Sequence, residues 1–138
     1  MNKNEVIKAL NEALEGELGE MVRYIHHSFH VYGHGRNPIV GLLRARAKES
    51  MDHAILLGEK IIALGGNPTA KVSEVLEPKK ETVEEILKDT LAAEKESLET
   101  YKKYLSLVQD DVALDFLLRK QIADEQEHVD ELEKLLRE

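Results

Sequence analysis

Three helical stretches of this chain carry carboxylates and an imidazole in the row where a packed helix needs leucine. Taken at steps of three and four residues, the first stretch gives Leu10, Leu14, Glu17, Met21 and Tyr24. A later one gives Leu87, Leu91, Glu94, Leu98, Tyr101, Leu105 and Val108. The last gives Leu114, Leu118, Gln121, Glu125, His128, Leu132 and Leu135. Each series is the inward stripe of a helix, a row that normally holds only apolar residues. An ionised carboxylate there costs several kcal/mol unless it is paired or bound to metal. One such glutamate is an oddity. Three glutamates and a histidine, each in mid-helix, point to ligands converging on one internal site and to metal chemistry inside a helical bundle.

Turn residues divide the chain into four long helices. The first is expected from about Asn4 to Tyr32, ended by Gly33, Gly35 and Asn37. The second opens at Asn37-Pro38, with Asn37 as N-cap and proline at the first helical position, and runs through Leu64. Gly65-Gly66-Asn67-Pro68 stops it. The segment from Thr69 to Lys80 has weak periodicity and contains Pro78, so about residues 65–81 form a long connection. Thr82-x-x-Glu85 is a capping box that starts the third helix, which ends near Gln109. Asp110-Asp111 turns the chain into a fourth helix occupying the remainder. The expected fold is all-α: a four-helix up-down bundle with a long crossover between helices 2 and 3 and no fifth helix, one domain over residues 1–138.

Composition agrees with that architecture and narrows the chemistry. Hydrophobic residues make up 42% and aromatics only 4%, a core material of Leu, Ile, Val and Ala that suits helix packing. Nineteen Lys+Arg against 27 Asp+Glu leave a formal charge of −8, which argues against nucleic acid as a partner and suits the attraction of cations. Zero cysteines exclude disulfides and thiolate metal sites. The start, MNKNEVIKAL, has no apolar h-region and no stretch approaches eighteen apolar residues. A soluble, cytoplasmic protein without membrane contact is expected.

Residues three apart on a helix reach toward one point, and Glu125 with His128 is such a pair. A carboxylate can bridge two hard ferrous ions, and a neutral imidazole can complete the coordination of one. The two halves of the chain also echo each other. His53 follows Glu17 at nearly the interval at which His128 follows Glu94, and both histidines end acidic helical turns.

The segments LNEALEGELGEMVRY, MDHAILLGEKIIALGGNP, TVEEILKDTLAAEKESLE and IADEQEHVDELEKLL together resemble the bacterioferritin-type members of the ferritin-like family, over nearly the whole chain. The resemblance implies a ferroxidase that oxidises Fe(II) with O₂ or H₂O₂ at a di-iron centre, with iron storage if a homo-oligomer closes into a cage. By it, Glu17 and His53 are terminal ligands of one iron, Glu94 and His128 those of the other, and Glu125 bridges both. Tyr24 matches a tyrosine bordering the centre, able to hydrogen-bond a ligand carboxylate or give up an electron. Met51 matches the methionine that binds haem b between two subunits. The departure is Ser50, where the family has its second bridging glutamate. Glu49, at i−4 from His53, is the acidic group able to swing in as a substitute ligand, since i, i+4 pairs also bind metal on helices.

Each of these residues also has a plainer reading. The buried set can be a polar network, Glu49 a solvated residue beside Lys48, and Met51 simple packing. The cluster His26, His27, His30 and His34 is either a metal-collecting patch or an exposed or subunit-facing stretch. Two other functions stand beside the ferroxidase: a peroxide-scavenging protein like the mini-ferritins, and a non-catalytic assembly module whose site has decayed at Ser50.

Overall fold

Four helices account for the regular structure: α1 (Lys3–Phe29), α2 (Arg36–Ala63), α3 (Val83–Leu105) and α4 (Val112–Leu136). The computed structural model describes residues 2–78 and 82–137, and no strand occurs among them. The end of the expected crossover, residues 79–81, lies outside the described residues. No helix among them is long and apolar enough to cross a membrane.

The helix boundaries follow local chemistry, with three corrections to the sequence reading. The first helix stops at Phe29 rather than Tyr32, and Gly33 then takes φ +99°, a left-handed conformation natural to glycine. The second helix begins at Arg36 with Gly35 as its N-cap, so Asn37 is not the cap and Pro38 is not the first helical residue. Both sit within the first turn, where amides have no intrahelical acceptor and proline forfeits nothing. At its far end Gly66 N–H donates to the Ile61 carbonyl at 2.9 Å and Gly65 N–H to that of Ile62 at 3.0 Å, with Gly65 at φ +85°. That pair of bonds is the Schellman arrangement, and it fixes where α2 ends.

Glu85 N–H donates to Thr82 Oγ1 at 3.2 Å, the expected cap of α3. This helix ends at Leu105, short of Gln109, in turn bonds from Leu107 to Tyr104 and from Val108 to Leu105. Asp111 caps α4, its Oδ1 accepting from Leu114 N–H at 3.0 Å.

Contacts sort the chain into two compact units, Met1–Ala9 with Leu87–Glu138, and Leu10–Ile86. In the second of these, α1 and α2 run antiparallel: Ser28 meets Arg44, Glu20 meets Ser50 and Glu17 meets His53. Tyr24, Val31, Val40, Leu43, Ala47 and Ile86 form its buried cluster. The crossover runs along α1. Asn11 bonds the backbone of Asn67 and Thr69, and Ser73 N–H donates to the Glu15 carbonyl at 3.3 Å. In the other unit α3 and α4 run antiparallel, with Lys95 paired to Glu133 at 3.1 Å. Leu87, Leu98, Tyr101, Leu114, Leu118, Val129 and Leu132 are buried.

Two glycines of α1 should respond oppositely to alanine. A Cβ at Gly19 would run into Ser73 Oγ and lie 2.9 Å from Ser73 Cβ and 3.1 Å from its carbonyl oxygen. Gly19→Ala should therefore lift the crossover and cost about 1–3 kcal/mol. Gly16 has nothing within 4 Å of such a Cβ, so Gly16→Ala should add up to about 1 kcal/mol by helix propensity alone. Urea unfolding of the two variants checks the signs.

Candidate metal centre

The inward row of α1 delivers Glu17, and the antiparallel partner α2 delivers His53 opposite it. Both are buried, and His53 Nδ1 lies 3.4 Å from Glu17 Oε1. In the other unit α3 delivers Glu94, which is 0% exposed, and α4 delivers Glu125 and His128 one turn apart. His128 Nδ1 lies 3.7 Å from Glu94 Oε2 and 4.0 Å from Glu125 Oε2, and one oxygen or nitrogen of each lies within 4.8 Å of the others.

These separations test the fit to a metal. Two atoms bound to one divalent ion at about 2.1 Å, at a tetrahedral angle, lie about 3.4 Å apart. A good charged hydrogen bond would draw the same atoms to about 2.8 Å. The observed spacings of 3.4–4.0 Å are longer than such hydrogen bonds and leave room for an ion between the groups. Oxygen and imidazole donors without thiolate suit a hard to borderline divalent metal.

The position that departs from the family pattern is filled differently from the expectation. Ser50 is buried and Glu49 is not: its side chain is 47% exposed and pairs with Arg46 Nη1 at 3.7 Å, one turn back on the same helix. With Ser50 pointing inward, Glu49 is rotated by about 100° around the axis, so the structure does not bring it to the ligands. The acidic residue that faces Ser50 is Glu20 of α1. It is 8% exposed, and its Oε2 accepts from the Ser50 hydroxyl at 3.5 Å. The sequence reading missed it, although Glu17-x-x-Glu20 has the same i, i+3 spacing as Glu125-x-x-His128.

Tyr24 is buried among Val40, Leu43 and Ala47, and its hydroxyl makes no hydrogen bond among the described residues. The expected bond from Tyr24 to a ligand carboxylate is thus not formed. The Arg23 guanidinium instead sits 5.0 Å from the Tyr24 ring centroid. Gln121, one turn before Glu125, is likewise buried with no hydrogen bond to its side-chain amide among the described residues. Met51 is 41% exposed and lines an apolar cavity of about 500 Å³ with Leu14, Leu18, Met21 and Ile55.

The histidine cluster separates into distinct environments. His26 and His30 stack edge to face at 5.0 Å and, with Glu77 of the crossover, bring ligand-type atoms within 4.8 Å of one another. His27 is buried, with Nε2 3.5 Å from the Leu76 carbonyl oxygen. His26 Nε2 is 2.8 Å from each Glu77 oxygen, and that hydrogen bond is the main cause holding the Glu77 carboxyl below its ordinary value. Stability from a depressed carboxyl is present above its unfolded value and lost as pH falls through the folded one. This tie between crossover and α1 should therefore loosen in acid, as amide exchange near Leu76 would register.

A model of the ferritin-like domain matches residues 7–138. Bacterioferritins of Mycobacterium bovis and Mycobacterium leprae are 31% and 30% identical over 134 residues, covering 96% of this chain and 84% of theirs. A ferritin-like, diiron-carboxylate protein of Bacillus anthracis superposes with a TM-score of 0.92 at 31% identity, covering 98% of this chain and 97% of that one. The Rhodobacter capsulatus bacterioferritin, whose structure holds a metal-free dinuclear site and a heme iron, superposes with a TM-score of 0.85 at 26% identity, covering 96% and 84%. The fold is the ferritin-like four-helix bundle, and the chain belongs to the ferritin-like family as a protein of the bacterioferritin type.

Proposed function

We propose that this protein is a ferroxidase that takes Fe(II) as substrate at a di-iron centre. One observation carries the reading: the same buried carboxylate–imidazole combination occurs twice, at Glu17 with His53 and at Glu94 with His128. Glu17 and His53 would hold one iron and Glu94 and His128 the other, with Glu125 shared and Tyr24 as their neighbour. Bound iron supplies electrons to O₂ or H₂O₂. The chain's own work is positional. Carboxylates of Glu17, Glu94 and Glu125 offset the charge of the metal, and neutral imidazoles leave its net charge low. Within each hairpin the helices hold carboxylate and imidazole opposite each other, and burial keeps bulk water from competing for them.

The proposal predicts that Fe(II) added in air is oxidised much faster with the protein than without it. Counting Fe(II) consumed per O₂ and per H₂O₂ identifies the oxidant, and equal rates with and without protein reject the function.

Storage requires assembly, and the surface of α1 and α2 supports a homo-oligomer. Val22, Ile25 and Phe29 form one exposed apolar stripe on α1, and Met51, Ile55 and Ile62 form another on α2. Phe29→Glu or Ile55→Glu should shift the native mass toward smaller species, measured by light scattering. Met51 within the second stripe is also where haem b would dock, its thioether presented beside the apolar cavity. Haem titration of the parent and of Met51→Leu by absorbance tests that site separately.

A further inference from the structure

We propose that His26, His30 and Glu77 form a separate divalent-metal site, one that fastens the end of the crossover to α1. It stands independently of the di-iron reading. His26 lies in the last turn of α1 and His30 just beyond its end, where His30 N–H still donates to the His27 carbonyl at 3.0 Å. The two rings therefore stay on one side of the chain, 5.0 Å apart, at the i, i+4 spacing by which paired helix histidines hold zinc. Glu77 is brought to them by the path of the crossover. Thr69 is bonded to Asn11 at 2.8 Å, Ser73 to Glu15 at 3.3 Å, and the Leu76 carbonyl lies 3.5 Å from His27 Nε2. Of the four clustered histidines, only His26 and His30 share this group with Glu77.

Two imidazoles and one carboxylate, without thiolate, suit Zn(II), Fe(II) and similar divalent ions. Donors on opposite sides of one such ion, each at about 2.1 Å, lie about 4.2 Å apart. The donor atoms here are already within 4.8 Å of one another, so side-chain rotation alone gathers them round an ion. His26 and Glu77, with side chains 33% and 69% exposed, have the freedom to rotate. The place favours a cation as well, because the C-terminal end of a helix carries partial negative charge and Glu77 adds a full one. Without metal, His26 Nε2 and Glu77 share a proton across 2.8 Å. A metal ion engages both imidazoles and the carboxylate at once, and the displaced proton leaves to solvent. His26 is about 13 Å along the helix axis from Glu17, so this ion is not one held in the bundle interior. Three protein ligands at an exposed position leave the remaining coordination to water, which makes the ion exchangeable.

The test is calorimetric titration of the whole protein with Zn(II) alone, in the parent and in Glu77→Gln, His30→Gln and His34→Gln. Glu77→Gln and His30→Gln should each weaken one Zn(II) equivalent by about tenfold or more, since changes beyond the direct ligands already cost that much. His34→Gln, outside the group, should leave the isotherm as in the parent. Amide hydrogen exchange supplies a local readout: Zn(II) should slow exchange near Leu76 in the parent and not in His30→Gln. Glu77→Gln is the deciding variant, because a histidine pair acting alone binds Zn(II) without the crossover. Parent-like affinity in Glu77→Gln overturns the proposal, and so does Zn(II)-dependent slowing near Leu76 that persists in His30→Gln. Either result leaves the di-iron reading untouched, because Glu17, His53, Glu94, Glu125 and His128 are intact in all four proteins.

Discussion

Replacing Glu94 or His128 by alanine should slow aerobic Fe(II) oxidation by about 100-fold or more, leaving little above the protein-free rate. The estimate follows from outer-shell changes at metal sites, which already cost about 10–100-fold, so loss of a direct ligand sets a larger effect. Glu94 is the most deeply buried member of its set and stands 3.7 Å from His128 Nδ1, so either change dismantles the same metal position. Glu133, paired with Lys95 on the outside of the same hairpin, is the control: Glu133→Ala should leave the rate unchanged. Stopped-flow absorbance of Fe(III) formation measures all three. Parent-like rates in both ligand variants would sink the di-iron assignment.

Metal should also stabilise the fold strongly. Glu17, Glu94 and Glu125 are all almost wholly buried, and desolvation of their carboxylates burdens the metal-free protein. Binding to the folded state alone adds about 2.7 kcal/mol per site at a free metal concentration of 100 Kd. Two sites thus add about 5 kcal/mol. For a chain of this size that corresponds to a rise in melting temperature on the order of 15 °C. Chelation should reverse it. Glu94→Gln should melt higher than the parent without metal, because a buried charge is gone, and gain less when Zn(II) is added. Differential scanning calorimetry with and without Zn(II) checks both signs, and a parent whose melting point ignores Zn(II) contradicts the prediction.

What the sequence determined by itself was whatever depends on local repetition. Leucines at steps of three and four specify each helix and its buried stripe, and carboxylates within that stripe can be seen without any partner in view. Turn chemistry is equally local: Gly65-Gly66 ends α2 and Thr82 caps α3 where expected, and the expected turn at Asp110-Asp111 leads into α4. The doubled Glu–His interval reflects the two antiparallel hairpins, because a fixed loop length brings residues at a fixed separation opposite each other.

The tertiary structure decided what depends on the facing helix. Along α2 alone, Glu49 was the acidic group at helical i, i+4 spacing from His53, and nothing local distinguished it from a ligand. Packing turned Ser50 inward and left Glu49 half-exposed beside Arg46. It also set Glu20, thirty residues away in sequence, against Ser50. The path of the crossover along α1 was hidden for the same reason. It rests on Asn11, Gly19 and His26, which meet Thr69, Ser73 and Glu77 only after the chain has returned. Periodicity records which face of a helix is buried, whereas the identity of the groups across that face is fixed only when two distant segments pack.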